Sequence, residues 1–371
     1  MVYDVSSAEE FECVFREIVS ENVYIVGAGV NGDLLGQYLN YSGHEWCGYV
    51  DGKRTNVMND KPCVHYSDET IVRDAVFIVS SIEFGGLMIR DLVSNGLGDN
   101  NIIRIRKSEL VYDLFDKATH YRVYTDRLKR FKDIHSGGRC FVIGNGPSLA
   151  PGDLDQISNE ITIASNSVYA IYPYTSWRPT YYTTFDENFL FSIYSKPEKR
   201  GMLSENCREL FTAANRMGFQ YRNEETLKNV NYFLFSPGYL TSEPLFSDDI
   251  SKIVYDMAMV TYINLQLACY MGIKEIYFLG VDYSYSIVSD SSGKVTRREG
   301  SDYNEILQTA AREVIWKNHY ITREDRQLEG FFAAKKYADS HGIKIYNATR
   351  GGKLEVFERV KLDDITGLHR N

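Results

Sequence analysis

The chain of 371 residues is 44% hydrophobic and 25% charged, with 41 Lys and Arg against 50 Asp and Glu for a formal net charge of −9. That length allows two domains with separate cores, and 28 Gly and 8 Pro are too few for a fibrous or disordered chain. The acidic balance excludes a nucleic-acid binder that works through a strong basic field.

In chain order, the first signal is an apolar run into a glycine turn, Val23-Tyr-Ile-Val-Gly27-Ala-Gly29-Val-Asn-Gly32, followed by residues at helical spacing. Strand-like runs follow at Trp46–Asp51 and Ala75–Ser81, with helix-like stretches between them. Strands alternating with helices predict a parallel, doubly wound sheet, here over residues 1–105. Residues 106–137 read as a helical connector. Within it Tyr124-Thr-Asp-Arg-Leu-Lys-Arg-Phe-Lys is basic and amphipathic, either a solvated face or a surface for lipid or phosphate.

The strand–glycine–helix grammar returns at Cys140-Phe-Val-Ile-Gly144-Asn145-Gly146-Pro147-Ser148 and opens a second α/β domain over 138–371. Further strands are expected at Ile161–Ser165, Thr180–Phe185, Glu275–Gly280 and Ile343–Tyr346, and buried or capped helices at Val254–Met271 and Gln327–His341. The Ser- and Gly-rich stretch between Tyr283 and Tyr303 has no period and reads as a lid or binding loop, or else as a disordered segment. The expected fold is therefore α/β: two Rossmann-like, doubly wound parallel-sheet domains joined by a helical connector.

The six cysteines contain no Cys-x-x-Cys pair, no apolar run approaches the ~18–20 residues of a membrane span, and the first ten residues carry no secretory pattern. The expectation is a soluble cytoplasmic protein, with peripheral membrane contact left open by the basic run.

Two turns carry candidate chemistry. Gly27, Gly29 and Gly32, with Asp51 ending the next strand-like run, have the spacing of a dinucleotide site; the same glycines also suit a tight turn with close helix–strand packing. Gly144, Asn145, Gly146 and Ser148 read as an anion and ribose cradle without the lysine of a P-loop, with Pro147 setting the first helical turn and Ser148 capping it. Transfer chemistry also needs a base, and His319 is the best-placed histidine. Tyr283 and Arg323 lie where they would stabilise a leaving phosphate. No residues stand out as metal ligands.

The run Phe141-Val-Ile-Gly-Asn-Gly-Pro-Ser-Leu149 resembles the opening motif of the 6-hydroxymethylpterin diphosphokinase-like family, which includes motility-associated-factor glycosyltransferase proteins, and of the related metal-independent bacterial sialyltransferases. The resemblance spans about residues 138–360 and continues in order through Ala164-Ser-Asn166, Thr184-Phe-Asp186, Met271–Tyr283 and Ile345–Gly352. It implies nucleotide contacts at Asn166, Asp186, Asp282 and Tyr283, with Thr261 replacing the hydroxyl of a Ser-Gly pair. It also implies that His319-Tyr-Ile-Thr-Arg323 carries the catalytic region, although Arg323 stands at the family's base position, so that either His319 has taken the role or another reaction is catalysed.

The resulting expectation is a glycosyltransferase using a nucleotide-activated sugar, a CMP-linked sialic-acid-like nonulosonate, to modify a surface glycan or protein. It would require no cofactor. The alternatives are an ATP-dependent diphosphokinase acting on a hydroxymethylpterin-like acceptor, for which Mg2+ would be needed, and a non-catalytic nucleotide-sugar-binding scaffold.

Overall fold

A computed structural model describes residues 1–19, 21–52, 57–58, 61–97, 101–236, 243–289, 294–297, 302–307 and 322–367. The chain divides into two units, Met1–Arg122 and Val123–Asn371.

In the first unit β1 (Val2–Val5), β2 (Val23–Val26), β3 (Gly48–Val50), β4 (Val57–Met58), β5 (Lys61–Val64), β6 (Val76–Val79) and β7 (Ile102–Ile105) form one sheet. Its order is β1-β7-β6-β2-β3-β5-β4, and every pair is parallel except β4 with β5. Every residue of β2 (Val-Tyr-Ile-Val) and β6 (Val-Phe-Ile-Val) is buried, which is why both read as unbroken apolar runs rather than alternating ones. Helix α1 (Ala8–Ile18) starts at Ser7, whose hydroxyl accepts the Glu10 N–H at 3.2 Å. Helices α2 (Val30–Tyr41), α3 (Gly85–Ser94) and α4 (Ser108–Thr119) complete the unit, with α4 packed on α2 and α1.

The residues expected to form a connector are shared out. Helix α4 belongs to the first unit, and the boundary falls inside α5 (Tyr121–Asp126). The basic run beyond it is largely paired within the second unit. Arg130 donates to Glu209 at 3.0 Å and Asn231 at 2.9 Å, Lys129 meets Asp126 at 2.6 Å, and Arg127 lies 4.8 Å over the Tyr124 ring.

The second unit has β8 (Arg139–Ile143), β9 (Ile161–Ser165), β10 (Tyr181–Thr183), β11 (Glu209–Ala213) and β12 (Val230–Phe233), then a two-stranded parallel pair β13 (Phe235–Ser236) and β14 (Val254–Tyr255). After β15 (Glu275–Leu279) and an antiparallel hairpin, β16 (Ile287–Ser289) with β17 (Val295–Arg297), come β18 (Lys344–Asn347) and β19 (Glu358–Arg359). The main sheet runs β12-β11-β10-β9-β8-β15-β18-β19, parallel throughout. The chain starts in the middle at β8, steps outward to β12, then returns to β15 on the other side of β8. The strand order therefore reverses between β8 and β15, and in open α/β sheets ligands bind at the carboxyl end of that reversal. Both units are doubly wound, chiefly parallel α/β sheets of the Rossmann-like kind.

Two elements differ from the sequence reading. The buried helix expected over Val254–Met271 starts only at Val260 as α8 (Val260–Tyr270). Val254 and Tyr255 instead pair with Phe235 and Ser236, and Ala258 at φ 59° interrupts any helical path from there. The stretch expected to be a periodless loop contains the β16–β17 hairpin, because Ile287-Val-Ser and Val295-Thr-Arg are short β-prone segments that the polar residues around them mask. Among the described residues no helix is long and apolar enough to cross a membrane.

Close packing in the first unit explains its third glycine. A Cβ on Gly32 would lie 2.0 Å from the Gly27 carbonyl oxygen, whereas one on Gly29 would meet nothing within 4 Å. Gly32→Ala is expected to destabilise this unit by about 1–3 kcal/mol through backbone overpacking, and Gly29→Ala by about 1 kcal/mol or less, read from urea-unfolding midpoints. Equal losses would show that Gly32 is not the packing contact between α2 and the turn.

Candidate functional site

The turn after β8 is fixed to the end of β15. Gly144 N–H donates to the Leu279 carbonyl at 2.8 Å and Gly146 N–H to the Gly280 carbonyl at 2.9 Å. The Leu149 N–H returns to the Gly146 carbonyl at 3.1 Å, closing a β-turn in which Pro147 takes the second position that its fixed φ favours. The expectation that Pro147 opens the helix and Ser148 caps it is corrected: Pro151 is the first residue of the short helix α6 (Pro151–Gln156). The Ser148 hydroxyl instead donates to Asp282 Oδ2 at 2.8 Å. A Cβ on Gly146 would lie 2.0 Å from the same Asp282 oxygen, so only glycine allows this approach.

Asp282 is 6% exposed; burial raises its pKa, and the bonds from Ser148 oppose that rise. Its backbone is held by the 345–352 motif. Lys353 N–H donates to the Asp282 carbonyl at 2.7 Å, and Val281 N–H to Thr349 Oγ1 at 3.1 Å. Arg350 forks onto Asp153, with one bond of 2.7 Å, beside the turn. Asp282 is thus the clasp of the glycine turn.

Beside the clasp the carboxyl edge carries acceptors with nothing to accept. Asn145 Nδ2 donates to the Ser165 carbonyl at 3.0 Å, tying the turn to β9, while its Oδ1 is buried without a hydrogen-bond partner. Asn166 follows β9 at φ 50°; its carbonyl accepts the Tyr182 hydroxyl, and its Oδ1 is likewise buried and unpartnered. Thr184, wholly buried just beyond β10, has an unpartnered Oγ1. Two residues on, Asp186 caps α7 (Glu187–Tyr194), accepting the Phe189 N–H at 2.8 Å. Leaving a buried polar group unsatisfied costs about 1–3 kcal/mol, so several at one edge make it the candidate site for a ligand.

Sequence reasoning missed Asp256, Arg216, Tyr303 and Asn304. Asp256, 3% exposed, follows β14, and its Oδ1 accepts the Met259 N–H at 2.9 Å. Burial pushes its carboxyl up to about 7; the Met259 bond and the Arg216 charge oppose this, and Asp186 adds to it. Arg216, beyond β11, stacks 4.5 Å over the Phe235 ring. Burial also raises the Tyr303 hydroxyl, with Asp186 contributing. Next to it Asn304 straps the glycine turn, its N–H donating to the Asn145 carbonyl at 3.0 Å and its Nδ2 to the Leu149 carbonyl at 2.5 Å. The one available sequence signal was Asp256 four residues before the start of α8, an acidic residue ahead of a helix.

Other expected residues are placed apart from this arc or engaged elsewhere. Thr261 is half-buried in the first turn of α8. The Tyr283 hydroxyl donates to the Glu324 carbonyl at 2.6 Å, and Arg323 forks onto Asp325 at 3.0 and 2.9 Å. His319 lies outside the described residues. Among the described residues no group of three or more His, Cys, Asp or Glu side chains is placed to hold a metal ion.

Residues 113–288 match the family model described as 6-hydroxymethylpterin diphosphokinase MptE-like. Over this segment the chain is similar to that family. The match runs from α4 through the glycine turn, Asn166, Asp186, Asp256 and Asp282, and stops before Asn304, Arg323 and the 345–352 motif. Among solved structures, the MAf glycosyltransferase from Magnetospirillum magneticum AMB-1 is similar at 13% identity and a TM-score of 0.36, over 80% of this chain and 54% of that one. The chain thus spans about half the length of that protein. No curated protein matches.

Outside the matched segment, the acid expected to serve the first glycine turn as a ribose ligand is engaged. Asp51 Oδ2 accepts the Ala28 N–H at 2.9 Å, and Asn31 Nδ2 reaches across to the Ser80 carbonyl at 3.1 Å. Asp51 here supports the turn's own backbone.

The Asp256 carboxyl has a signed consequence for stability. Its folded value, about 7, lies above the ordinary 3.8, so between about pH 4 and 7 the folded state holds a proton that the unfolded chain has lost. Stability from this group therefore falls as pH rises through that window, at up to about 1.4 kcal/mol per pH unit. Asp256→Asn is expected to remove this slope, so that its stability relative to the parent improves between pH 4 and 7 in urea unfolding; parallel pH profiles would place the carboxyl in water.

Proposed function

We propose that this chain is a nucleotide-dependent transferase that moves a sugar from an activated donor, a CMP-linked sialic-acid-like nonulosonate, onto a glycan or protein acceptor. The observation that carries the reading is the pair of buried, unpartnered side-chain carbonyls of Asn145 and Asn166 at the strand-order reversal. Two acceptors there suit a ligand that brings donors: ribose hydroxyls and the exocyclic amino group of cytosine. Asp282 and Ser148 keep the turn in shape, and Asn145 both orients through Ser165 and offers its oxygen to the ligand. The Arg216 cation, which acts on Asp256, suits the charge of a leaving phosphate or a sugar carboxylate.

A second reading, diphosphoryl transfer from ATP to a hydroxymethylpterin-like acceptor, is favoured by the description of the matching family. In it Mg2+ would bridge the ATP phosphates and spread their charge as one phosphoryl bond breaks.

A thermal-shift panel of CMP, CDP, UDP, ATP and NAD, each with and without Mg2+, separates these readings. CMP without metal is expected to stabilise the protein by about 2.7 kcal/mol at 100 times its Kd. Asn145→Ala and Asn166→Ala should each remove most of that shift. A response to ATP with Mg2+ alone would favour the diphosphokinase; no response to any nucleotide would overturn both readings.

A further inference from the structure

Asp282 holds the glycine turn at Gly146 and Ser148, but Asn145, whose side-chain carbonyl is left for a ligand, is held from another direction. The Asn145 main-chain carbonyl accepts the Asn304 N–H at 3.0 Å. At the far end of the turn the Leu149 carbonyl accepts Asn304 Nδ2 at 2.5 Å. One residue thus brackets the turn. The remaining side-chain atom of Asn304 is engaged as well, since Oδ1 accepts the Ile306 N–H at 2.8 Å and so fixes which way the amide points.

We propose that Asn304 is a positioning residue for the nucleotide, setting its affinity by holding Asn145 in the orientation that presents Oδ1. The inference rests on the sugar-transfer reading above. Asn145 Nδ2 is committed to the Ser165 carbonyl at 3.0 Å, so an amide flip would break that bond, and Oδ1 stays the group offered. What must still be fixed is the backbone that carries this side chain. Glycine on both sides, at 144 and 146, leaves that backbone unusually free. The peptide between Asn145 and Gly146 is pinned at both of its polar groups. Its N–H donates to the Gly280 carbonyl at 2.9 Å, and its carbonyl accepts from Asn304. Without Asn304 one hold remains. The ligand must then pay the ordering that the protein had supplied, and binding weakens.

Asn304 is itself anchored. Two residues earlier Asp302 accepts both the N–H and the hydroxyl of Ser286, and three residues later Leu307 is wholly buried. Ser286 leads into β16, which is bonded to Thr322 from two positions: Ser289 N–H donates to the Thr322 carbonyl at 2.9 Å, and Thr322 N–H to the Ile287 carbonyl at 3.1 Å. The turn is therefore gripped by two arms that both leave the end of β15, Asp282 directly and Asn304 by way of Asp302 and Ser286. The second arm reaches beyond residue 288, where the family match ends.

The test is calorimetric titration of CMP into the full chain and its variants, with urea unfolding to confirm that each is folded. Asn304→Ala, which removes the Leu149 and Ile306 bonds, should weaken CMP binding by about three- to tenfold. Asn304→Asp keeps an acceptor for Ile306 but sets a carboxylate oxygen against the Leu149 carbonyl. It should lose at least as much affinity, and it covers the case in which the alanine variant does not fold. A double-mutant cycle separates positioning from general support of the fold. At millimolar CMP, Asn304→Ala should cost less than about twofold in the Asn145→Ala background, where the side chain it positions is gone, and should keep its full effect in the Asn166→Ala background. Parent-like affinity in both Asn304 variants, or the same loss with and without the Asn145 side chain, overturns the proposal and leaves the sugar-transfer reading standing. Failure of the parent to bind CMP overturns that reading and this inference with it.

Discussion

The second unit depends on one close approach, that of the Gly146 backbone to the Asp282 carboxylate. A parallel sheet whose strand order reverses must bring two chain segments, here following β8 and β15, side by side at its carboxyl end. They meet without a side chain between them, and Ser148 closes the contact through its hydroxyl. Removing the carboxylate would leave the turn without its anchor, and adding a methyl at Gly146 would drive the strands apart. The 349–353 segment holds the backbone of Val281 and Asp282 from β18, so three stretches of sequence far apart in the chain meet at this one residue.

Much of this was legible in the sequence because it rests on local patterns. An apolar run ending in Gly-Asn-Gly encodes a strand and a sharp turn wherever it occurs, and the repetition of that grammar at Gly27 and Gly144 signalled two α/β units. The position of Pro147 was misread because proline suits both the first turn of a helix and the second position of a β-turn, and Pro151 four residues on took the helical role. The hairpin between Tyr283 and Tyr303 escaped notice because three-residue strands carry too little periodicity to register.

Asp256 was illegible for a different reason. Its character comes from burial and from Asp186 and Arg216, which lie 70 and 40 positions earlier, and no window along the chain contains that information. The same holds for Asn304, an ordinary loop residue in sequence that becomes part of the site only because two of its hydrogen bonds end on the glycine turn. Electrostatic tuning and strapping are properties of the assembled sheet edge. The asparagines at the strand ends, by contrast, were visible because turn residues announce themselves.

The placement of β18 and β19 bears on what counts as a folding unit. The family-model match ends at residue 288, yet Glu275–Phe278 of β15 pair with β18, which lies beyond that limit. A polypeptide stopping at 288 would expose the bare backbone of β15, a central strand rich in Ile, Tyr, Phe and Leu, as a new sheet edge. Such an edge recruits other chains by strand addition. The segment matched by the family model is thus smaller than the sheet it belongs to, and the residues after 340 cover this side of β15 as well as supporting the turn.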